Sequence, residues 1–480
     1  MTSVSRAFGI SAPPLRLAIT LLSSGWRDLD ELVRTTAAPR RSVEDLLAAL
    51  GGDLERDGAA MRLRENAVGR YRALAAPPAQ PGEAVAARLA TLVADVPAAL
   101  PALDHVQATT ETLLRRANWL AEQYDLGSAK LLFLGDHDLT SLAVRAVAPS
   151  ADLTVVDVDD RVLEYIDRHS DRAVRTVHAD LRFGLPLAVA GSADVVFSDP
   201  PYTQEGMGLF ASRGIECLAE PQQGRLVLAY GYSVRHPALG HQVQRALSAL
   251  GLTFEAIIPH FNRYAGAQAI GSAADLYVCQ PTARSRKQGK GAKQRRGQQR
   301  AGIYTHGPQS VEARETPAVL REALLGHASE TGLPVEERGI DWTTPSPVPE
   351  HTAVAIDLTA DPGPWLLRVL LGVNATRLAL LLPNAHPDLG NAKAQAALTR
   401  LVAGKYRLSL RRSTPDNKHA IVLADALPAD DEKPAEHAVF SRAHGRLGNL
   451  WPQAPADIAE LRLVDLPRHR IAEVAASLRP

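Results

Sequence analysis

Four short clusters of residues able to do chemistry each follow an apolar run. The first is Gly135-Asp136-His137-Asp138, after AKLLFL. Sites for S-adenosylmethionine usually carry several glycines at this turn, so that backbone N–H groups reach the ligand and its carboxylate. Here one glycine stands among two acids. That loop repels an anionic group and holds a cationic amine through charge-assisted hydrogen bonds. The blander alternative is that Asp138 N-caps the helix LTSLAV, but capping needs one acid and leaves Asp136 unexplained. The second cluster is Asp157 with Asp159 and Asp160, after LTVV. An acid at this strand end, about 20 residues past the first turn, suits ribose hydroxyls, and Asp157 takes that role. Asp159 or Asp160 is expected to cap the helix RVLEYI. The third is Asp180 in HADLRF, placed to accept from the exocyclic amine of adenine. The fourth is Asp199-Pro200-Pro201-Tyr202, after DVVFS. Two prolines fix the backbone and remove two donors, so a carboxylate and an aromatic ring stand rigidly at a strand end. Such a loop receives a target amine, with Asp199 binding or deprotonating it and Tyr202 packing on the substrate.

The elements that must hold these clusters read as alternating strands and helices over residues 129–280. The alternation predicts a doubly wound, Rossmann-like, mostly parallel α/β sheet of the methyltransferase type. Ligands in such sheets sit at the carboxyl ends of the strands, near the switch in strand order. Residues 103–126 predict a helix leading into this domain, so the domain is taken as residues 103–280. Residues 1–75 predict three helices and a hairpin, a winged-helix-like domain, and residues 76–102 a linker rich in Ala and Pro. Residues 281–302 form a basic linker; its first 20 residues hold eight Arg or Lys and no acid. Residues 303–480 predict a further α/β domain. Within it, AHPDLGNAKAQAAL (385–398) shares a framework with RHPALGHQVQRAL (235–247), and residues 353–425 read as a degenerate partial copy of the second half of the central domain. The copy keeps Asp357 after its strand but has no Asp-Pro-Pro.

Composition excludes several classes. The 480 residues carry 53 basic and 53 acidic side chains, a net charge of zero, so no whole-chain field favours nucleic acid. Residues 1–75 hold 11 basic against 9 acidic side chains, little for a phosphate-binding face, and a dimerisation or substrate-covering role is the expectation there. Two cysteines exclude a disulfide scaffold, and no His/Cys/Asp spacing argues for a metal. No apolar run has the roughly 18 residues of a membrane span, and no secretory leader is read at the start. The expectation is a cytoplasmic, multidomain enzyme that acts as a homodimer away from membranes.

Taken together, LGDHDLTSLA (134–143), VVDVDDRVLEYI (155–166), FSDPPYTQEGMGLFASRGIECL (197–218) and IIPHFNRY (257–264) resemble the branched-chain polyamine synthases, the bis(aminopropyl)spermidine synthases. The resemblance spans about residues 103–280, and that family also carries an N-terminal winged-helix-like domain. It implies an aminopropyltransferase of polyamine biosynthesis. The donor is decarboxylated S-adenosylmethionine, a co-substrate rather than a resident cofactor, the acceptor a polyamine such as spermidine, and the by-product methylthioadenosine. A base is then drawn from Asp199, Asp138, His137 or Asp136; Gly135, Asp136, Asp157 and Asp180 face the donor. Tyr202, Pro200, Pro201 and Glu205 face the acceptor, with Glu216 added to an acidic tunnel. The family's first loop usually reads Gly-Asp-Asp-Asp. His137 stands at the middle acid, so either it replaces that acid as base or the chemistry differs. The rival reading is an S-adenosylmethionine-dependent N-methyltransferase, since Asp-Pro-Pro-Tyr is also the loop of amino-group methyltransferases. A third is a regulatory, DNA-binding protein that only senses a nucleoside.

Overall fold

The computed structural model describes residues 2–78, 81–266, 272–285, 302–305, 316–345, 347–428 and 434–479. Most of the basic segment, residues 286–301, lies outside the described residues.

The chain opens with α1 (Thr2–Phe8), α2 (Ala12–Ser24), α3 (Leu29–Thr36) and α4 (Arg40–Leu50). The antiparallel hairpin β1 (Leu54–Asp57) and β2 (Ala60–Leu63) follows, then α5 (Glu65–Ala75). Leucines at helical spacing, Leu15, Leu22, Leu32, Leu46 and Leu50, meet in one core. The expected linker 76–102 holds a helix, α6 (Glu83–Asp95), whose Leu89 and Leu92 join the core of the central domain.

Helix α7 (Thr110–Gln123) is capped by the Thr109 hydroxyl and buries Leu113, Arg116, Ala117 and Leu120 along one face. The domain then alternates: β3 (Lys130–Leu134), α8 (Thr140–Val147), β4 (Asp152–Asp157), α9 (Asp160–His169), β5 (Arg175–His178) and β6 (Val195–Ser198). There follow α10 (Gln204–Cys217), β7 (Arg225–Tyr230), α11 (Pro237–Ala249), β8 (Leu252–Arg263) and β9 (Ala273–Pro281). Apolar runs such as KLLFL and VVFS are buried, as strands covered on both faces require. The seven-stranded sheet has the order β5-β4-β3-β6-β7-β9-β8. Its first five strands run parallel and β9 runs antiparallel to both neighbours. The winding reverses between β3 and β6, which opens a crevice at their carboxyl ends. There the Ser198 hydroxyl donates to the Leu134 carbonyl at 2.6 Å and ties the two strand ends together.

After residue 316 come α12 (Ala318–Ser329), β10 (Val335–Arg338), β11 (Ala353–Asp357), α13 (Trp365–Gly372) and β12 (Arg377–Pro383). Then follow α14 (Ala392–Val402), β13 (Tyr406–Arg412) and β14 (His419–Ala426). This second sheet has the order β10-β11-β12-β14-β13, the first three strands parallel and β14 antiparallel to β12 and β13. That order and sense repeat those of β3-β6-β7-β9-β8, with α13 standing where α10 stands and α14 where α11 stands. One apolar core runs through both sheets, from Leu132 and Val196 to Val354 and Leu380. Phe183, Trp342 and Trp365 meet at the junction, ring centroids 4.5 and 5.5 Å from Phe183.

A candidate active site at the switch point

A cavity of about 740 Å³ opens at the carboxyl ends of β3, β4, β5 and β6. Its base is a buried ion cluster centred on Arg116 of α7. One guanidinium nitrogen donates to Asp138 Oδ2 at 2.6 Å and the other to Asp199 Oδ2 at 2.6 Å. Nε donates to Asn262 Oδ1 at 2.8 Å, and Thr140 Oγ1 accepts at 3.1 Å. The Arg116 side chain is fully buried and lies 5.1 Å from the Phe197 ring centre. Burial alone lowers such a cation's pKa; the two carboxylates outweigh it and hold Arg116 charged. Tyr264 donates to Asp199 Oδ2 at 2.7 Å, Tyr202 donates to Asp199 Oδ1 at 3.0 Å, and the two hydroxyls lie 2.7 Å apart. Two hydroxyl protons thus serve three oxygen–oxygen contacts.

Two carboxylates share one guanidinium, so the cluster carries one excess negative charge when both are ionised. Burial pushes Asp199 up to about 6 against the pull of Arg116, and Asp138 reinforces the rise. Burial raises Tyr202 and Tyr264 well above the usual phenol range, helped by Asp199.

The first loop turns at Gly135, whose φ of +71° an L side chain rarely adopts. Leu139 is also left-handed, φ +67°, so α8 starts only at Thr140. This reassigns both acids. Asp136 faces inward, accepts from Ser141 N at 3.2 Å and from the Ser141 hydroxyl at 2.5 Å, and caps α8. Asp136, expected to face the donor, is therefore corrected to the cap of α8 and does not line the cavity, and the alternative in which Asp138 caps that helix is not what the chain adopts. Asp138 is taken by Arg116 and by Ala108 N at 2.9 Å, while Asp136 is the acid the orphan N–H groups of α8 demand. Burial raises the pKa of Asp136 strongly. His137 lines the cavity and stacks on His105, ring centroids 4.3 Å apart at 14°. Burial pushes His137 down to about 4, so it is neutral near pH 7, and its Nδ1 has no partner.

Asp157 ends β4 on the cavity wall, its oxygens accepting from the backbone N–H groups of Asp136 and Asp159 at 2.8 Å each. Burial lifts it to about 6. Asp159 caps α9, as expected of one of the pair. Asp180 also lines the wall, but its oxygens are taken by Arg182 and by Trp365 Nε1, the latter at 2.9 Å. It is thus a partner of protein donors rather than a free acceptor for adenine. Pro200, Pro201 and Tyr202 line the cavity, and Glu205 stands exposed at its rim in the first turn of α10. Glu216 instead pairs with Arg213 at 2.8 Å, away from the cavity wall, which removes it from the acidic tunnel.

The sequence reading passed over Arg116, Asn262, Tyr264, His105, Arg182 and Tyr304. Arg116 carried one signal, its helical spacing from Leu113 and Leu120 on an apolar face. Tyr304 carried none, since residues 302–305 were divided between a linker and a distant domain. In the structure the Thr203 hydroxyl donates to the Ile303 carbonyl at 2.7 Å, Thr305 N donates to Asp104 at 2.8 Å, and Ile303 and Tyr304 pack on Leu103. A Cβ on Gly206 would stand 2.8 Å from the Ile303 carbonyl, so that close passage needs glycine.

A doubly wound α/β sheet with an acidic cavity at its switch point is a methyltransferase-like arrangement. Residues 84–284 match the family model of the branched-chain polyamine synthase A C-terminal domain. The resemblance to the branched-chain polyamine synthases therefore holds over this central region. An uncharacterised protein of Methanocaldococcus jannaschii is 36% identical over 173 residues, 35% of this chain and 43% of that protein. The N(4)-bis(aminopropyl)spermidine synthase of Thermococcus kodakarensis is 30% identical over 168 residues, 34% of this chain and 47% of that enzyme. The chain thus spans less than half the length of these relatives. A crystal structure of the Thermus thermophilus branched-chain polyamine synthase, in complex with N4-aminopropylspermidine and 5'-methylthioadenosine, aligns with 55% of this chain and 86% of its own. Its identity to this chain is 22% and the TM-score 0.37. No helix among the described residues is long and apolar enough to cross a membrane.

Proposed function

We propose that the chain transfers the aminopropyl group of decarboxylated S-adenosylmethionine to an amine of a polyamine such as spermidine, releasing methylthioadenosine. The observation that carries this reading is the excess negative charge on the Asp138–Arg116–Asp199 cluster at the cavity base. A buried, uncompensated charge favours a cationic ligand and disfavours a carboxylate. The acceptor nitrogen attacks the carbon next to the sulfonium. The carbon–sulfur bond breaks with its electron pair going to sulfur, which becomes a neutral thioether. The new ammonium gives up a proton, and Asp199 takes it, being the carboxylate of the cluster more open to the cavity and lifted to about 6. Tyr202 and Tyr264 hold Asp199 in place. His137, neutral and with an unpaired Nδ1, is a second acceptor for an amine N–H. The rest of the catalysis is positioning. No metal and no resident cofactor is part of this reading.

The rival, methyl transfer from intact S-adenosylmethionine, must seat a carboxylate in the same acidic cavity. Titration calorimetry separates the two. The decarboxylated donor is expected to bind at least tenfold tighter than the intact one, about 1.4 kcal/mol. Equal binding, or the reverse order, rejects the aminopropyl reading.

The finer organisation belongs to the same proposal. The N-terminal unit is read as winged-helix-like because Arg27 exchanges two backbone hydrogen bonds with Met61 and adds a third edge to the hairpin. Its role is support of the site and of a homodimer rather than binding nucleic acid. Arg16 donates to the Ala121 and Glu122 carbonyls in the last turn of α7, the helix that carries Arg116. The C-terminal unit is read as a non-catalytic half copy of the central sheet, on the strength of its strand order. The cytoplasm is the proposed compartment.

A further inference from the structure

Among the described residues, two residues of the cavity wall have a buried polar atom with no hydrogen-bond partner: His137, at Nδ1, and Arg182, at Nη1. Arg182 is held on three sides. Its backbone N and Nε donate to Asp180 Oδ1 at 3.0 and 2.8 Å, and Nη2 donates to Asp180 Oδ2. Its guanidinium carbon lies 5.2 Å from the Tyr304 ring centre and 4.7 Å from that of Trp365. Trp365 Nε1 donates to Asp180 Oδ2 and fixes the carboxylate from the far side. The Arg182 side chain is only 2% exposed. A buried donor without a partner is costly to keep, so a position built this rigidly around one points to an acceptor that arrives with a ligand. Tyr304 and Trp365 lie beyond the matched residues 84–284.

We propose that Arg182 is a nucleoside-recognition residue, donating from Nη1 to a ring nitrogen of a purine, and that Trp365 and Tyr304 are positioning residues that lock it there. The inference rests on the nucleoside reading of the cavity. Asp157 at the end of β4 takes the ribose, and Arg182 follows β5, the next strand outward, where the base of the same nucleoside lies. The Tyr304 ring on the cavity wall beside an unpartnered guanidinium nitrogen suits a flat heterocycle with an in-plane lone pair. The second sheet then contributes to the site through the wall residues it holds, because α13 brings Trp365 onto Asp180 and Arg182. The acid expected to read adenine, Asp180, instead orients the group that does.

The test is calorimetry of the full chain with 5'-methylthioadenosine, on wild type and the Arg182→Lys, Trp365→Phe and Trp342→Phe variants. Trp342→Phe trims the same aromatic junction without touching Asp180. The expected result is at least tenfold weaker binding in Arg182→Lys and Trp365→Phe, within about twofold of wild type in Trp342→Phe. With a polyamine acceptor, Trp365→Phe should raise the donor KM while the acceptor KM and the kcat at saturating donor hold. A purine analogue lacking the accepted nitrogen should lose affinity for wild type and lose nothing further with Arg182→Lys. Should Arg182→Lys fail to fold, Trp365→Phe decides. Equal losses in Trp365→Phe and Trp342→Phe, or no loss in either, overturn the inference while leaving the cavity a nucleoside site. Wild type that binds no methylthioadenosine overturns the nucleoside reading itself, and the inference with it.

Discussion

The two sheets share strand order and the placement of two helices, yet their strand ends do opposite things. At the end of β6, Asp199 is held by Arg116 from α7 and by Tyr264 from just beyond β8, groups 83 and 65 residues away, and it faces a cavity. At the end of β11, Asp357 accepts from Thr359 N two residues on and from the Thr316 hydroxyl. The loop beyond it places Asp361 over the backbone N–H groups of Trp365 and Leu366 and starts α13. One carboxylate is held by a distant guanidinium and a phenol, the other by its own turn and one hydroxyl. A shared scaffold therefore says little about chemistry, which lies in what the loops bring to the strand ends.

The contrast can be broken or sharpened by substitution. The largest effect is expected from Arg116→Met, which strands two buried carboxylates. Unfolding free energy should fall by about 3–5 kcal/mol in urea titration, and adding Asp138→Asn should restore part of it. A loss below about 1 kcal/mol would mean that the cluster is not the stabilised unit described. Next, Asp199→Asn should cut turnover by about a hundredfold or more with the fold kept by circular dichroism. The pH profile sharpens the same point. Asp199 acts as acceptor only when ionised and its pKa is lifted to about 6 by burial, so kcat/KM should climb as pH rises through 6 and level above it. Asp199→Asn should lose that limb; a limb unchanged in the variant assigns it to another group. Tyr264→Phe should cost about tenfold in kcat, the scale of one hydrogen bond to a charged group. The smallest effect is expected at the other sheet: Asp357→Asn should leave turnover within about twofold. A large loss there would erase the distinction between the sheets.

Much of this was legible in the residues because apolar runs led straight into the chemistry. VVFS feeding Asp-Pro-Pro-Tyr reads as a buried strand with a rigid end, and β6 and its loop are that. Asp157 sits at its strand end for the same reason. The first loop misled, since which acid caps α8 depends on the left-handed turn at Leu139, and nothing in a leucine announces a positive φ. Arg116 was hidden because its place on the apolar face of α7 says nothing of a role until its partners are known. Those partners, Asp138, Asp199 and Asn262, lie 22, 83 and 146 residues away. The hold of α13 on the cavity wall was likewise out of reach: Trp365 and Asp180 are 185 residues apart and meet only through tertiary packing.

The most direct measurement is mass spectrometry of the products formed by the purified full chain, offered intact and decarboxylated S-adenosylmethionine together with spermidine. An aminopropylated amine appearing in step with methylthioadenosine, and only from the decarboxylated donor, is the outcome the charge on the Asp138–Arg116–Asp199 cluster requires. A methylated product appearing with S-adenosylhomocysteine would contradict it.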